Sequence, residues 1–386
     1  MNASMKSSPS APDETKIVRI FLCGDVMIGR GIDQILPAPC PPELHEEYVS
    51  SALGYVSLAE RVCGPIPRPA PASYIWGAAL DAFYQKNPDL RIINLETSLT
   101  RSEAFEPKGI NYRASPENAE TLRAAGIDCC VLANNHILDW GEAGLIDTLD
   151  ILGKLRIRTT GAGRNRDEAR RPAAIDVAGK ARVVITSFAL PSSGAPRHWA
   201  ASCERPGVNL LPDLSEHSVE LVCEILRDVR RSDDIVIVSL HWGPNWGYDI
   251  PQDHQRFAHA LIDRGEASII HGHSSHHAKA LEIYKNRLIL YGCGDFINDY
   301  EGIAGYEQYR GDLSLMYFVD IDMSSGSLAS LELTPLQIRR FRLERALPAD
   351  AEWLAHKLNR ESARYGVSLS KQSDESLIAS WAQAAT

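Results

Sequence analysis

The sequence predicts an α/β protein, on three observations. Short apolar, β-rich runs alternate along most of the chain with longer amphipathic stretches, the order that builds a sheet with helices on its faces. Most strand-to-helix spacings leave room for the crossovers of a parallel sheet. The composition is that of an ordinary globular protein, with 44% hydrophobic, 23% charged and 7% aromatic residues over 386 positions, enough for a large core and without the bias of collagen, coiled-coil or disordered chains.

Taken in order, residues 1–15 are rich in Ser and Pro and lack a basic-then-apolar-then-small signal pattern, so a disordered tail and a cytoplasmic protein are expected. Strands are expected at 18–23, 90–95, 128–132, 182–188, 235–240 and 267–271, where apolar and β-branched residues run together. Helices fall between them at 73–85, 116–125, 142–155, 216–231 and 252–263. The stretch 40–71 has Pro-rich ends around a helical middle and reads as an insertion or a lid over a site. Downstream, 281–284, 287–291, 313–322 and 327–343 are β-rich runs separated by turn signals such as Lys285-Asn286 and Ser324-Ser325-Gly326. They are expected to form antiparallel hairpins in a second sheet. Two helices, 349–364 and 374–384, are expected to close the chain. With no Pro/Gly-rich linker, residues 16–345 read as one elaborated domain and 346–386 as a helical extension.

No apolar run approaches the roughly 18 to 20 residues needed to cross a bilayer, so no membrane span is expected. Lys plus Arg number 40 against 50 for Asp plus Glu, a net charge of -10, which offers no overall basic field to a nucleic acid. The eight cysteines include no C-x-x-C pair and read as buried free thiols.

The chemistry lies where the strands stop. In open α/β sheets the loops beyond the strand carboxyl ends form the ligand crevice. Here those ends carry Asp25, then Asn94-Leu95-Glu96, then Asn134-Asn135-His136 followed by Asp139, then His241-Trp242-Gly243, then the run from His271 to His277 with His273 and His276 inside it. Each has an ordinary explanation by itself: Asp25 as a helix cap, Asn134-Asn135 as a turn, His241 as a satisfied core histidine. Five such ends in one chain point to one site. Carboxylates, an amide carbonyl and neutral imidazoles suit a divalent Mn, Fe, Zn or Mg ion. The inventory fits two ions sharing a carboxylate better than one, a pair that would acidify a bound water. His271 and His273 are two apart and face one side of an extended strand end, which leaves the assignment of each imidazole open.

Arg30 and Arg113 are candidates to clamp a substrate carboxylate or phosphate, or else surface arginines. Trp242, Trp246 and Tyr248 crowd the loop after His241 and would wall a pocket, or pack. Asp295, Asn298 and Asp299 follow another strand end and would orient imidazoles.

At six ordered motifs between residues 18 and 318 the sequence resembles the CapA family, the poly-γ-glutamate capsule biosynthesis proteins. These are Gly24-Asp25-Val26-Met27, Asn94-Leu95-Glu96-Thr97, Ala133-Asn134-Asn135-His136, His241-Trp242-Gly243, Gly272-His273-Ser274-Ser275-His276 and Tyr291-Gly292-Cys293-Gly294-Asp295-Phe296. The resemblance implies a metallo-dependent phosphatase-like β-sandwich flanked by helices, with the two groups of strands as its two sheets. It implies that Asp25, Glu96 and His276 hold a first ion, with Glu96 bridging to a second held by Asn135, His241 and His273. It also implies that His136 acts as general acid or transition-state stabiliser, with His271 or His277 in support and Asn134 and Asp295 behind the ligands. Two positions depart from the phosphoesterase pattern: Met27 stands where those enzymes place a His, and Glu96 where they place Asp. The first ion is left one ligand short.

Three functions follow as expectations. One is a metal-dependent enzyme acting on a peptide-like or poly-γ-glutamate substrate through activated water or a polarised carbonyl, with a His moving the proton. Another is a metal-dependent epimerase of ribosomal peptides. The third is a polymer-binding or assembly factor without turnover.

Overall fold

In the computed structural model, which describes residues 16–382, the apolar runs pair into two large sheets that face each other. The tail expected at 1–15 lies outside the described residues. In the larger sheet, Ile17–Val26 runs parallel to Leu90–Leu95, which is followed by Cys129–Val131 and Arg158–Thr160. On its other side it pairs antiparallel with Leu313–Asp322, followed by Leu328–Ile338, Leu377–Trp381 and Val367–Lys371. The second sheet has the order Leu281–Tyr284, Arg287–Leu290, Ile269–His273, Ile235–His241, Arg182–Ala189, Ala173–Asp176.

Alternation along the strands sorts the core into layers. Val18, Ile20, Leu22 and Ile92 from one sheet meet Ile185, Ile237 and Ile269 from the other in a single buried cluster. Phe21, Ile93 and Leu95 point the opposite way, onto the helices Ala52–Cys63, Ala78–Lys86 and Gly141–Lys154. Val184, Val238, Leu240 and Ile270 pack under Glu216–Arg227 and Gln252–Asp263. The last of these helices buries His254, Phe257, Ala258, Leu261 and Ile262, the single stripe that a 3.6-residue period produces. The fold is the expected sandwich of two sheets flanked by helices.

Two details differ from the sequence reading. The two groups of strands are not the two sheets. The hairpin 281–290 extends the second sheet alongside Ile269–His273, while the hairpin 313–338 joins Ile17–Val26 in the first. Each hairpin covers an edge that would otherwise stand open. The expected helix at 374–384 is instead a strand, Leu377–Trp381, paired with Val367–Lys371. Val367, Leu369, Leu377 and Ala379 are buried at every second position in the inter-sheet core, a period of two that five-residue strands show too briefly to read. Among the described residues of the extension, only Pro348–Ser362 and one turn after it are helical. The segment 40–71 is anchored at both ends: the Cys40 amide donates to Asp33 Oδ2 at 2.6 Å and the Ala70 amide to the Ile35 carbonyl at 2.7 Å. Its helix buries Tyr55, Val56 and Ala59 in the outer core.

All eight cysteines are free. No helix among the described residues is long and apolar enough to cross a membrane.

Candidate metal centre

The strands that build the inter-sheet core turn polar as they leave it, on the same face. Along Ile235–His241 the inward positions are Ile235, Ile237, Ser239 and His241; along the neighbouring strand they are Ile269, His271 and His273. The parallel register sets Ser239 opposite His271 and His241 opposite His273. In the facing sheet Leu90 and Ile92 lead to Asn94 and, past the strand end, Glu96. The same alternation from Val18, Ile20 and Leu22 would present Gly24, but the pairing shifts between Leu22 and Asp25. Such an irregularity exchanges faces and brings the Asp25 carboxylate to the site. Position 24 must be glycine, since a Cβ there would stand 1.6 Å from the Gly294 carbonyl oxygen.

Asp25, His241 and His273, all buried, bring one ligand atom each within 4.8 Å of one another. Hydrogen bonds determine what those atoms offer. His271 Nε2 lies 2.7 Å from the Cys23 carbonyl oxygen, which only accepts, so that nitrogen carries the proton. Burial lowers the pKa of His271 to about 4, so its other nitrogen is a lone pair and accepts from the Ser239 hydroxyl at 3.1 Å. With its one proton given to His271, Ser239 accepts from His273 Nε2 at 2.8 Å. His273 Nδ1 is thereby left as a lone pair, 3.8 Å from Asp25 Oδ1 and 2.7 Å from His241 Nδ1.

His241 is neutral, its pKa pushed far down by burial and by neighbouring imidazoles. It has one proton for two acceptors, His273 Nδ1 on one side and Asn135 Oδ1, 2.9 Å from Nε2, on the other. Whichever it serves, the second contact sets lone pair against lone pair. A cation removes that conflict, so the donor set fits a divalent ion held by Asp25, His241 and His273, with Asn135 beside them.

Burial, and then the nearby Asp295, raise the Asp25 pKa to about 7; burial and Asp25 raise Glu96 well above the usual carboxylate range. The imidazoles are already neutral, so proton competition with the ion falls on the carboxylates. Metal affinity is therefore expected to weaken by about tenfold per pH unit for each proton displaced as pH falls below 7, and to level off above it. Calorimetric titration of the metal-free protein between pH 5 and 8 measures the slope; an affinity flat across that window would contradict the assignment.

Beside the triad, Glu96 Oε1 stands 3.8 Å from both His136 Nε2 and His241 Nε2. His136 Nδ1 is held at 2.6 Å by Asp139 Oδ2. Asp139 in turn receives the Tyr112 amide at 2.6 Å and pairs with Lys108 at 2.8 Å. Asn134 secures two elements at once: its side chain donates to Asn94 and to the Leu95 carbonyl and accepts from the His136 amide, and Asn94 donates to Asp25 Oδ1 at 2.8 Å. His276 Nδ1 meets Asp295 Oδ1 at 2.8 Å. Burial opposes a charge on this ring, but Asp295 and Asp25 outweigh it and raise its pKa. Among the described residues the structure assembles one group of three ligands rather than two. Where a first-ion histidine would enter, Met27 is buried with its sulfur 3.6 Å from the Tyr300 hydroxyl.

Several expected site residues are elsewhere. His277 turns away from the ligands and stacks on Tyr309, next to Tyr248 and Trp246. His271 is fully buried beneath the site with both nitrogens bonded, and supports the ligands instead of touching a substrate. Trp242 is core, stacked on His254 and donating to the Tyr291 carbonyl at 3.0 Å. The guanidinium of Arg113 lies on Trp140 and donates to the carbonyls of Ser102 and Pro41. That of Arg30 is occupied by Asp299, Glu46 and the Tyr55 hydroxyl. Arg30 thus spends four of its five N–H groups within the protein, whereas Arg113 spends two. Trp246 is half-buried and lines a cavity beside the site.

The sequence reading assigned no role to Asp139, Lys108, Ser239 or Asn94. Asp139 and Ser239 had a signal, one three residues after His136 and the other two before His241 on the same strand face. Lys108 comes from an irregular loop, and nothing in the sequence couples it to His136.

Residues 19–300 match the family described as bacterial capsule synthesis protein, PGA_cap. A probable polyglutamine synthesis accessory protein of Mycobacterium tuberculosis is 46% identical over 364 residues, covering 94% of this chain and 95% of that protein. The PGA biosynthesis protein CapA of Bacillus subtilis is 28% identical over 64% of this chain and 60% of its own. Among solved structures, the NAD nucleotidase of Haemophilus influenzae covers 89% of this chain and 62% of its own at 10% identity and a TM-score of 0.42, a likeness on which nothing below depends.

Proposed function

We propose, for a chain that belongs to the bacterial capsule synthesis protein family, a metal-dependent enzyme that cleaves an amide-linked, peptide-like substrate of the polyglutamate type. The observation that carries this reading is the pair Asp139–His136. A protein that only held an ion or a polymer would need ligands, but not an oriented imidazole with a free nitrogen beside them. Asp139 takes the Nδ1 proton at 2.6 Å, which directs the Nε2 lone pair toward Glu96 at the rim of the triad. Burial, partly offset by Asp139, lowers the pKa of His136 to about 4. The ring is therefore neutral near pH 7 and takes up a proton at Nε2 as charge develops beside it.

Asp25, His241 and His273 would hold the divalent ion, whose chemistry is to polarise a carbonyl and acidify water. Asp139 keeps the ring in one tautomer and stabilises it once protonated, and Lys108 pairs with Asp139 at 2.8 Å and holds it in place. The relatives named for polyglutamine and PGA synthesis support an amide-linked polymer as the substrate class.

The test is purified protein loaded in turn with Mn, Zn, Fe or Mg and incubated with γ-linked glutamate oligomers, with the products sized by mass spectrometry. Shorter fragments are expected with at least one ion. His136→Ala should lower kcat by about 10² to 10⁴ with metal content unchanged. No fragments with any of the four ions, or turnover untouched by that substitution, would overturn the reading.

A further inference from the structure

Two tyrosines occupy the side of the metal centre on which Met27 offers no ligand. The Met27 sulfur is 3.6 Å from the Tyr300 hydroxyl. The Tyr300 ring stands edge-on to His276 with centroids 5.5 Å apart, and His276 is close enough to Asp25 for each to shift the pKa of the other. The Tyr300 hydroxyl meets that of Tyr112 at 2.6 Å, and the Tyr112 ring lies edge-on to His136 at 4.5 Å. The hydroxyl pair therefore spans from His136, beside Glu96, to His276, beside Asp25.

Burial decides which way the protons of this pair run. It raises the pKa of both phenols, so each keeps its proton near pH 7. Two hydroxyls in contact share one hydrogen bond, which leaves one proton over. Tyr112 is 1% exposed, and among the described residues its oxygen has no partner besides Tyr300. Were Tyr300 the donor, the Tyr112 proton would be buried without an acceptor, at the full cost of desolvating it. Tyr112 therefore donates to Tyr300. The Tyr300 proton is directed onward, where its neighbour among the described residues is the Met27 thioether, a weak acceptor. Tyr300 is also partly exposed where Tyr112 is not, so its proton is the one open to a ligand.

The donor is held still. The guanidinium of Arg30, fixed by Asp299 and Glu46, lies over both rings, 4.4 Å from the Tyr112 centroid and 5.7 Å from that of Tyr300. A donor fixed in advance stabilises negative charge without a cost of reorganisation.

We infer that Tyr300 donates its hydroxyl proton to a negatively charged oxygen of the ligand at the metal centre, with Tyr112 as the positioning residue that orients it. The ligand chemistry is that of an oxyanion. In the reaction proposed above it is the carbonyl oxygen as it gains charge, and for that oxygen the inference rests on the proposed function.

The experiment reads binding apart from turnover. Inorganic phosphate is titrated by calorimetry into metal-loaded wild type, Tyr300→Phe and Tyr112→Phe, with elemental analysis for metal content and circular dichroism for the fold. Tyr300→Phe keeps the ring against His276 and removes the donor. It should bind phosphate at least about tenfold more weakly, the value of a hydrogen bond to a charged group, with metal content unchanged. Tyr112→Phe keeps the donor without its orientation and should lose less. With γ-linked glutamate oligomers, Tyr300→Phe should lower kcat by about 10² to 10³, the cost of removing one oxyanion donor, and leave KM near that of wild type. Equal phosphate affinity in wild type and Tyr300→Phe, or no phosphate binding by wild type, would overturn the inference. So would a larger loss in Tyr112→Phe than in Tyr300→Phe, or a kcat that Tyr300→Phe leaves unmoved. A wild type that binds phosphate through Tyr300 but cleaves no oligomer would count against the proposed function alone and leave the hydrogen bond standing.

Discussion

His273→Ala should lose stoichiometric binding of a divalent ion, with affinity falling by at least about 100-fold, since removal of even an outer partner of a metal ligand costs about 10- to 100-fold. The substitution deletes the lone pair that Ser239 and His271 aim at Asp25 and His241, and leaves His241 free to donate to Asn135 without conflict. Ser239→Ala is the informative companion. It keeps all three ligands but breaks the chain of donors from the Cys23 carbonyl through His271 to His273 Nε2. Its expected loss is about 10- to 100-fold, less than that of the ligand itself. Titration calorimetry with elemental analysis reads both, and circular dichroism confirms the fold. If His273→Ala still holds one ion per chain at wild-type affinity, the triad is not the centre. If Ser239→Ala binds as wild type does, its hydroxyl does not set the His273 tautomer.

Arg30→Ala should destabilise the protein by about 3–5 kcal/mol, the usual cost of breaking a buried ion pair from one side. The guanidinium lies between the rings of Tyr55 and Tyr112, 4.0 and 4.4 Å from their centroids. It pairs with Glu46 at 3.0 Å and with Asp299, whose side chains are 6% and 1% exposed. Asp299 also takes the Gly31 amide at 2.9 Å. Removing the arginine leaves two carboxylates buried without a counter-charge. It also releases the segment 40–71 from the loop after Asp295, because Glu46 and Tyr55 belong to one and Asp299 to the other. Lysine cannot replace it, since a single ammonium does not reproduce the planar fork that reaches both acids. Denaturant unfolding measures the loss. A variant of wild-type stability with a raised KM would instead restore the substrate-clamp role that the sequence suggested.

The histidines show how far the sequence could be read. His241 and His273 stand out because each ends an apolar strand, and the period of two places both on the inward face. His276 and His277 are adjacent and chemically identical, and nothing local tells them apart. Their fates part after Ser274, whose φ of 98° is a strained conformation for a residue with a Cβ, costing about 1–3 kcal/mol. That turn aims the Ser274 amide at Asp25 Oδ2, 3.2 Å away. Beyond it, His276 is carried to Asp295 and His277 to the stack with Tyr309. Arg30 misled for a similar reason. An arginine near a site motif looks available until the acids that occupy it, 16 and 269 residues away, are seen.

What the sequence determined by itself was local: the α/β class, the positions of the strands that lead to the site, and the kinds of ligand atom at their ends. Each is written in the period of apolar residues or in side-chain chemistry over a span of ten residues or so. Only the tertiary structure decided which sheet each hairpin completes, which imidazoles keep a lone pair for an ion, and which charged groups are already used. Those outcomes depend on contacts such as His271 to the Cys23 carbonyl, 248 residues apart. A proton can be assigned to one ring nitrogen only when the partner of the other is known, and that partner is brought there by packing, not by its neighbours along the chain.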